Sequence, residues 1–83
     1  MLESSPRVIK SASVRSQLSP RERQVLHEIS LGMTNRQVAE NLAVSVHAIK
    51  FHLASIYRKL NVANRTEAAA LFVRESLEDR IHN

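Results

Sequence analysis

Apolar residues recur at helical spacing in four stretches of this 83-residue chain, and nowhere do they alternate as a half-buried strand requires. The clearest stretch is SVHAIKFHLASIYRKL, residues 45–60. Val46, Ile49, Leu53, Ile56 and Leu60 lie three and four apart and form one apolar seam, with Tyr57 at its edge. His47, Phe51, Ala54, Ser55 and Arg58 fall on the opposite side. Lys50 lies on one flank, His52 and Lys59 on the other. Ser45 stands where an N-cap hydroxyl accepts from a first-turn amide. The pattern predicts a helix over about 46–61 that buries one stripe and offers cations, imidazoles and an aromatic ring on the other.

Earlier in the chain, Leu18-Ser19-Pro20-Arg21-Glu22 reads as a staple residue, an N-cap, a proline at the first helical position and the Glu of a capping box. Val25, Leu26 and Ile29 give that helix its inner face. Gly32 follows where a left-handed C-terminal cap belongs, which sets the helix at about 20–31. Met33 is expected to be buried in the connection. Thr34 and Gln37 repeat the capping box ahead of Val38, Ala39 and Leu42, for a helix at about 35–42. Ala43-Val44-Ser45 leaves room only for a tight turn, so this helix and the next form a helix-turn-helix, with small Ala39 at their closest approach. Ala43 occupies a place where such turns often carry Gly. It implies either some strain or a turn type that tolerates Ala.

Val62 is expected to plug the core, and Asn64 with Glu67 opens a last helix over about 65–76. That helix is apolar almost all round. Ala68, Leu71 and Phe72 can face the domain's own core, while Thr66, Ala70, Val73, Leu77 and Ile81 make a second stripe. A core this small has little room for both, so the second stripe reads as a homodimer seam. Its other reading is that Leu77 and Ile81 fold back on their own domain. The chain is thus read as all-α, a four-helix domain with a central helix-turn-helix occupying residues 18–83. Residues 1–17, rich in Ser and without a period, read as a flexible linker or arm with no core element, although Val8, Ile9 and Val14 can dock transiently.

Composition narrows the function. Without Cys there is no disulfide and no thiolate chemistry. No apolar run reaches the length of a membrane span and no signal peptide is recognisable, so a cytoplasmic protein is expected. No Gly-rich phosphate loop or His-Glu-x-x-His site occurs, and no Ser has a base and orienter. His47 and His52 are five apart and do not share a helix face, so no metal site is expected, nor a cofactor or an enzymatic activity. The formal net charge is +4. Arg36, Lys50, Arg58, Lys59 and Arg65 face only Glu40 in the middle of the chain. Glu67, Glu75, Glu78 and Asp79 outnumber Arg74 and Arg80 after it. A basic middle points to a localised anionic partner, the other reading being an ordinary solvated face.

The ordered motifs resemble the DNA-binding domain of the LuxR/NarL/GerE family of bacterial transcription regulators. The residues that carry the resemblance are Leu18-Ser19-Pro20-Arg21-Glu22-Arg23, Val25-Leu26, Gly32, Asn35-Arg36-Gln37-Val38-Ala39, Leu42, Val44-Ser45, Ile49-Lys50, His52, Ile56, Lys59-Leu60, Val62 and Asn64-Arg65-Thr66-Glu67-Ala68. The resemblance implies a four-helix domain that binds double-stranded DNA as a dimer, often through the fourth helix. It also implies an N-terminal receiver or ligand-sensing domain ahead of it. Two positions depart from the family pattern. Ala48 stands where a Thr or Ser hydroxyl often meets a phosphate, and Ala54 stands where some members carry a second base-reading cation.

With residues 46–61 in the major groove, Lys50 is the natural donor to guanine O6 or N7, and Phe51 can pack on a thymine methyl. His47 and Ala54 complete the set expected to face bases. Asn35, Arg36, His52, Arg58 and Lys59 are the phosphate candidates, Asn35 through the free amides of its helix N-terminus. Arg65 is expected to pair with Glu22 or another carboxylate of the 20–31 helix, and Tyr57 to sit at the core edge. Two other readings stay open: a sigma-type promoter-recognition module, and a helical protein-interaction module that uses Phe51 and the last helix.

Overall fold

Capping chemistry sets where each helix begins. The computed structural model describes residues 13–82, with side chains through Arg80, and comprises five helices there: α1 Val14–Gln17, α2 Pro20–Ser30, α3 Asn35–Leu42, α4 Val46–Leu60 and α5 Arg65–His82. Ser19 and Thr34 each accept from the amide three residues on, while Glu22 and Gln37 return a bond to the cap amide, so both expected capping boxes form. Ser45 caps α4 in the same way through Ala48 N–H. At α5 the Asn64 side chain accepts from Glu67 N–H at 3.0 Å, but the Glu67 carboxylate reaches back to Ala63 N–H rather than to Asn64.

Left-handed residues end three of these helices. Gly32 (φ 90°) follows α2 as expected. Asn61 (φ 56°) ends α4 one residue before the expected end, and Ala43 (φ 58°, ψ 44°) makes the turn between α3 and α4. An L-residue with a Cβ is strained in that conformation, so of the two readings open for Ala43 the strained turn is the one adopted.

The core is continuous through all five helices. Val25, Leu26, Val38, Ile49 and Ile56 are fully buried, joined by Val14, Leu18, Ile29, Ala39, Leu53, Leu60 and Ala68. Met33, Leu42, Val44, Tyr57, Val62, Leu71 and Phe72 are half-buried around it. Met33 and Val62 therefore line the core rather than fill it. Helix α2 packs on both α4 and α5, and α3 packs on α4.

Two expectations about extent are corrected. Residues 13–17 are not a featureless arm: Ser13 caps α1 and Val14 is buried against the core. The Val14 amide donates to the Glu75 carboxylate at 2.9 Å, and Arg15 pairs with Asp79 at 3.1 Å. Val8 and Ile9 lie outside the described residues. The last helix does not stop near residue 76 but runs to His82, because no Gly or Pro interrupts it and α1 packs along its second half.

Candidate nucleic-acid interface

Helix α4 is held by one seam and one polar anchor. Ile49, Leu53, Ile56 and Leu60 bury as the spacing requires, whereas Val46, the first residue of the expected seam, is exposed. The opposite side presents His47, Lys50, Phe51, Ala54 and Arg58, all exposed on one stripe. Phe51 is 71% exposed, and its only ring neighbour among the described residues is His52, edge-on at 6.3 Å. A large apolar ring left in water beside a lysine gives the domain no packing, so the stripe offers both a hydrogen-bonding cation and a hydrophobic contact to a partner. His52 is half-buried at the edge of the stripe.

Ser55 does not belong to the outer face. Its hydroxyl donates to Glu22 Oε2 at 2.7 Å, and Lys59 donates to Glu22 Oε1 at 2.8 Å. The Ser19 amide also donates to that oxygen, at 2.9 Å. Burial pushes the Glu22 carboxyl up, but the hydrogen bonds from Lys59, Ser19 and Ser55, with the Lys59 charge, outweigh it and hold the group at about 2. Lys59 was expected on a phosphate. The structure commits its ammonium to a carboxylate within the domain, where it fixes the C-terminal half of α4 on the N-terminus of α2. Arg58, one residue earlier, keeps an exposed guanidinium whose contact is a long 3.5 Å one to Ser55 Oγ.

Because Glu22 is taken, Arg65 does not pair with it. Arg65 instead donates to Asn35 Oδ1 at 2.8 Å and to the Met33 carbonyl, which ties the start of α5 to the start of α3. Asn35 and Arg36 open α3, with Arg36 exposed beside the helix N-terminus and no acidic residue in the first turn. Tyr57 sits at the core edge as expected, and burial raises its hydroxyl above the usual 10 against the opposing pull of Arg65. The arrangement groups Arg36 and Asn35 at the mouth of α3 and His47, Lys50, Phe51, Ala54 and Arg58 along α4.

On α5, Ala68 is buried and Leu71 and Phe72 are half-buried, as the inner-face reading requires. Thr66, Ala70, Val73 and Leu77 are exposed, Val73 at 42% and Leu77 at 51%. The side chain of Ile81 lies outside the described residues. The second stripe thus does not fold back on its own domain through Leu77.

Sequence reasoning missed the inward bond of Ser55 and the α1 contacts to Glu75 and Asp79, and read Val14, which is buried in the core, as docking only transiently. Ser55 carries no period of its own, and α1 is too short for one. The signal that could have found α1 was Ser13 ahead of Val14, a cap without a following pattern.

The family profile described as bacterial regulatory proteins, luxR family, matches residues 16–72. The chain belongs to the LuxR family. The match runs from the end of α1 into the first half of α5 and contains the whole helix-turn-helix. Relatives of this LuxR-type domain include transcription regulators. It is 42% identical over 60 residues to the nitrate/nitrite response regulator protein NarP of Escherichia coli, covering 72% of this chain and 28% of that protein. It is 44% identical over 54 residues to the transcriptional regulatory protein ComA of Bacillus subtilis, covering 65% of this chain and 25% of that protein. The chain therefore spans about a quarter of the length of these relatives. A crystal structure of the anti-activator RapF complexed with the ComA DNA-binding domain matches with a TM-score of 0.63 at 44% identity, over 65% of this chain and 93% of the matched chain. The protein is a helical, LuxR-type DNA-binding domain of transcription regulation. Among the described residues no helix is long and apolar enough to cross a membrane.

Proposed function

We propose that this domain binds a specific duplex sequence with α4 in the major groove and pairs with a second copy through α5. The observation that carries the reading is the exposed stripe of α4, in which Lys50 and a largely exposed Phe51 stand side by side. Lys50 donates to guanine O6 or N7, Phe51 covers a thymine methyl, and His47 and Ala54 border them. Arg58 and His52 on α4, with Asn35 and Arg36 at the mouth of α3, meet phosphates. Lys59 is left out of this set because Glu22 holds it. Thr66, Ala70, Val73 and Leu77, with Ile81 beyond them, form the twofold seam, so the target is roughly palindromic with half-sites about one helical turn apart. NarP is a response regulator of which this chain covers the smaller part. By that likeness the domain acts in the bacterial cytoplasm, downstream of an N-terminal receiver or sensor domain.

Selection from random duplex DNA at near-physiological salt tests this. The expected winner is palindromic and binds ~10³-fold or more tighter than a scrambled duplex. Lys50→Ala is expected to relax preference at one base pair by ~1–3 kcal/mol, while Arg58→Ala weakens both duplexes alike and lowers the salt slope by about one. The absence of any enriched sequence, or full affinity in both variants, defeats the proposal. The interaction-module reading draws support from the neighbour solved with an anti-activator. It predicts α4 and α5 variants that lose a protein partner while DNA affinity stays unchanged.

A further inference from the structure

Arg65 bridges two elements that the sequence places 30 residues apart. One guanidinium nitrogen donates to Asn35 Oδ1 at 2.8 Å and the other to the Met33 carbonyl. Both acceptors belong to the entrance of α3, and Arg65 is the first residue of α5. A guanidinium has donors only, so the Asn35 amide must turn its oxygen toward Arg65 and its NH2 group away. The Asn35 side-chain nitrogen has no hydrogen bond among the described residues. Asn35 is half-buried, and its nitrogen is not among the fully buried side-chain atoms left without a partner.

The contact also adds charge at the mouth of α3. A helix N-terminus is the positive end of its dipole and favours anions. Here α3 has no acidic residue in its first turn. It receives two cations instead: Arg36 in that turn and Arg65 against Asn35. Helices α2 and α5 each carry a Glu in the first turn, whereas α4, like α3, carries none; what sets α3 apart is the second cation that α5 brings to its mouth. Three like-signed features at one helix mouth favour an anion there.

We propose that Arg65 is a positioning residue for DNA binding: by gripping Asn35 Oδ1 and the Met33 carbonyl it aims the Asn35 NH2 group at a backbone phosphate. The inference rests on the reading that α4 enters the major groove with the mouth of α3 over the phosphate backbone. The position of α5, the proposed dimer helix, is transmitted to a phosphate contact on α3 through a single side chain.

The test uses the full 83-residue chain, the duplex it selects from a random pool, and a scrambled duplex. Asn35→Ala and Arg65→Gln are each expected to weaken both duplexes by roughly three- to tenfold, the loss of about one hydrogen bond. The Arg65→Gln loss should be largely absent in an Asn35→Ala background, since coupled residues are not additive. Arg65→Lys keeps the charge but not the planar fork, and should lose affinity like Arg65→Gln. In amide-resolved NMR the Asn35 NH2 pair should shift on adding duplex to the wild-type chain and fail to shift in Arg65→Lys. This readout does not move if Arg65 serves only to hold helices together. Wild-type affinity in Arg65→Lys, losses that add in full, or Asn35 NH2 signals unmoved by DNA in the wild type would each overturn the proposal. If Arg65 variants fail to fold, the wild-type NH2 titration decides alone. A wild-type chain that selects no sequence overturns the DNA reading itself, an outcome distinct from a wild-type complex indifferent to Arg65.

Discussion

Replacing Glu22 by Gln removes one negative charge from a buried site and leaves its shape almost unchanged. The carboxylate is 7% exposed and accepts from Lys59, Ser55 and the Ser19 amide. Holding its pKa at about 2, against 4.5 for the free group, corresponds to ~3 kcal/mol of folded-state preference for the charged form. Lys59 is 39% exposed and can swing into water when its partner is lost, so the expected cost of Glu22→Gln at pH 7 is at the lower end, ~2–3 kcal/mol. A domain of this length has a total stability of only ~4–12 kcal/mol, so the melting temperature should fall by roughly 10–20 °C.

The sign with pH follows from a depressed folded value. The contribution is complete above 4.5 and disappears as pH falls through 4.5 toward 2. Urea unfolding of wild type and Glu22→Gln from pH 7 to pH 3 should show the stability gap shrinking by more than half. Other carboxylates titrate in both proteins and cancel in the difference. A gap that stays constant over this range would mean that Glu22 acts through packing alone, and the charge argument would be wrong.

Ala43→Gly should stabilise the domain by ~0.5–1 kcal/mol, because relief of the left-handed Ala43 outweighs the added freedom of the unfolded chain; chemical denaturation measures it. Val14→Ala should cost ~1.5–2.5 kcal/mol although it lies outside the expected domain, by loss of buried methyl groups next to the core. Phe51→Ala should leave stability within ~0.5 kcal/mol while lowering preference for one A·T pair by ~1 kcal/mol, read out by binding to single-substitution duplexes. Leu77→Asp should likewise fold normally yet abolish self-association on DNA in sedimentation experiments. A dimer that persists in that variant removes α5 from the seam.

The helix-turn-helix was legible because its determinants are local. Capping pairs such as Thr34 with Gln37 lie three residues apart, and the seam from Ile49 to Leu60 repeats within one helix. What remained hidden depends on distant partners. Glu22 could be recognised as a cap, but its acceptance of Lys59 and Ser55 across 37 and 33 residues could not be read from spacing. That one partnership bears on two assignments, since it ties the Lys59 ammonium to a carboxylate within the domain and leaves Arg65 to pair with Asn35 instead of Glu22. Val46 fits the seam by period yet is exposed, because the first turn of α4 extends past the core. The outer stripe of Lys50, Phe51 and Arg58 was legible as an exposed face because its positions fall opposite the buried seam.

The hydrogen bond from the Val14 amide to Glu75 spans 61 residues of chain. In the unfolded ensemble, closing a loop of that length costs ~1.6 kcal/mol more than closing one of about ten residues, the scale of the turn region joining α3 and α4. The order of assembly follows from that difference. The helix-turn-helix can condense from near neighbours, while α1 docks only after α5 has its place. Opening runs in reverse, with α1 and the second half of α5 as the lowest-energy excursion. Amide exchange should therefore be fastest at Val14 and around Glu75 and slowest at Ile49 and Ile56, so that the helix-turn-helix stays formed while its clasp comes and goes.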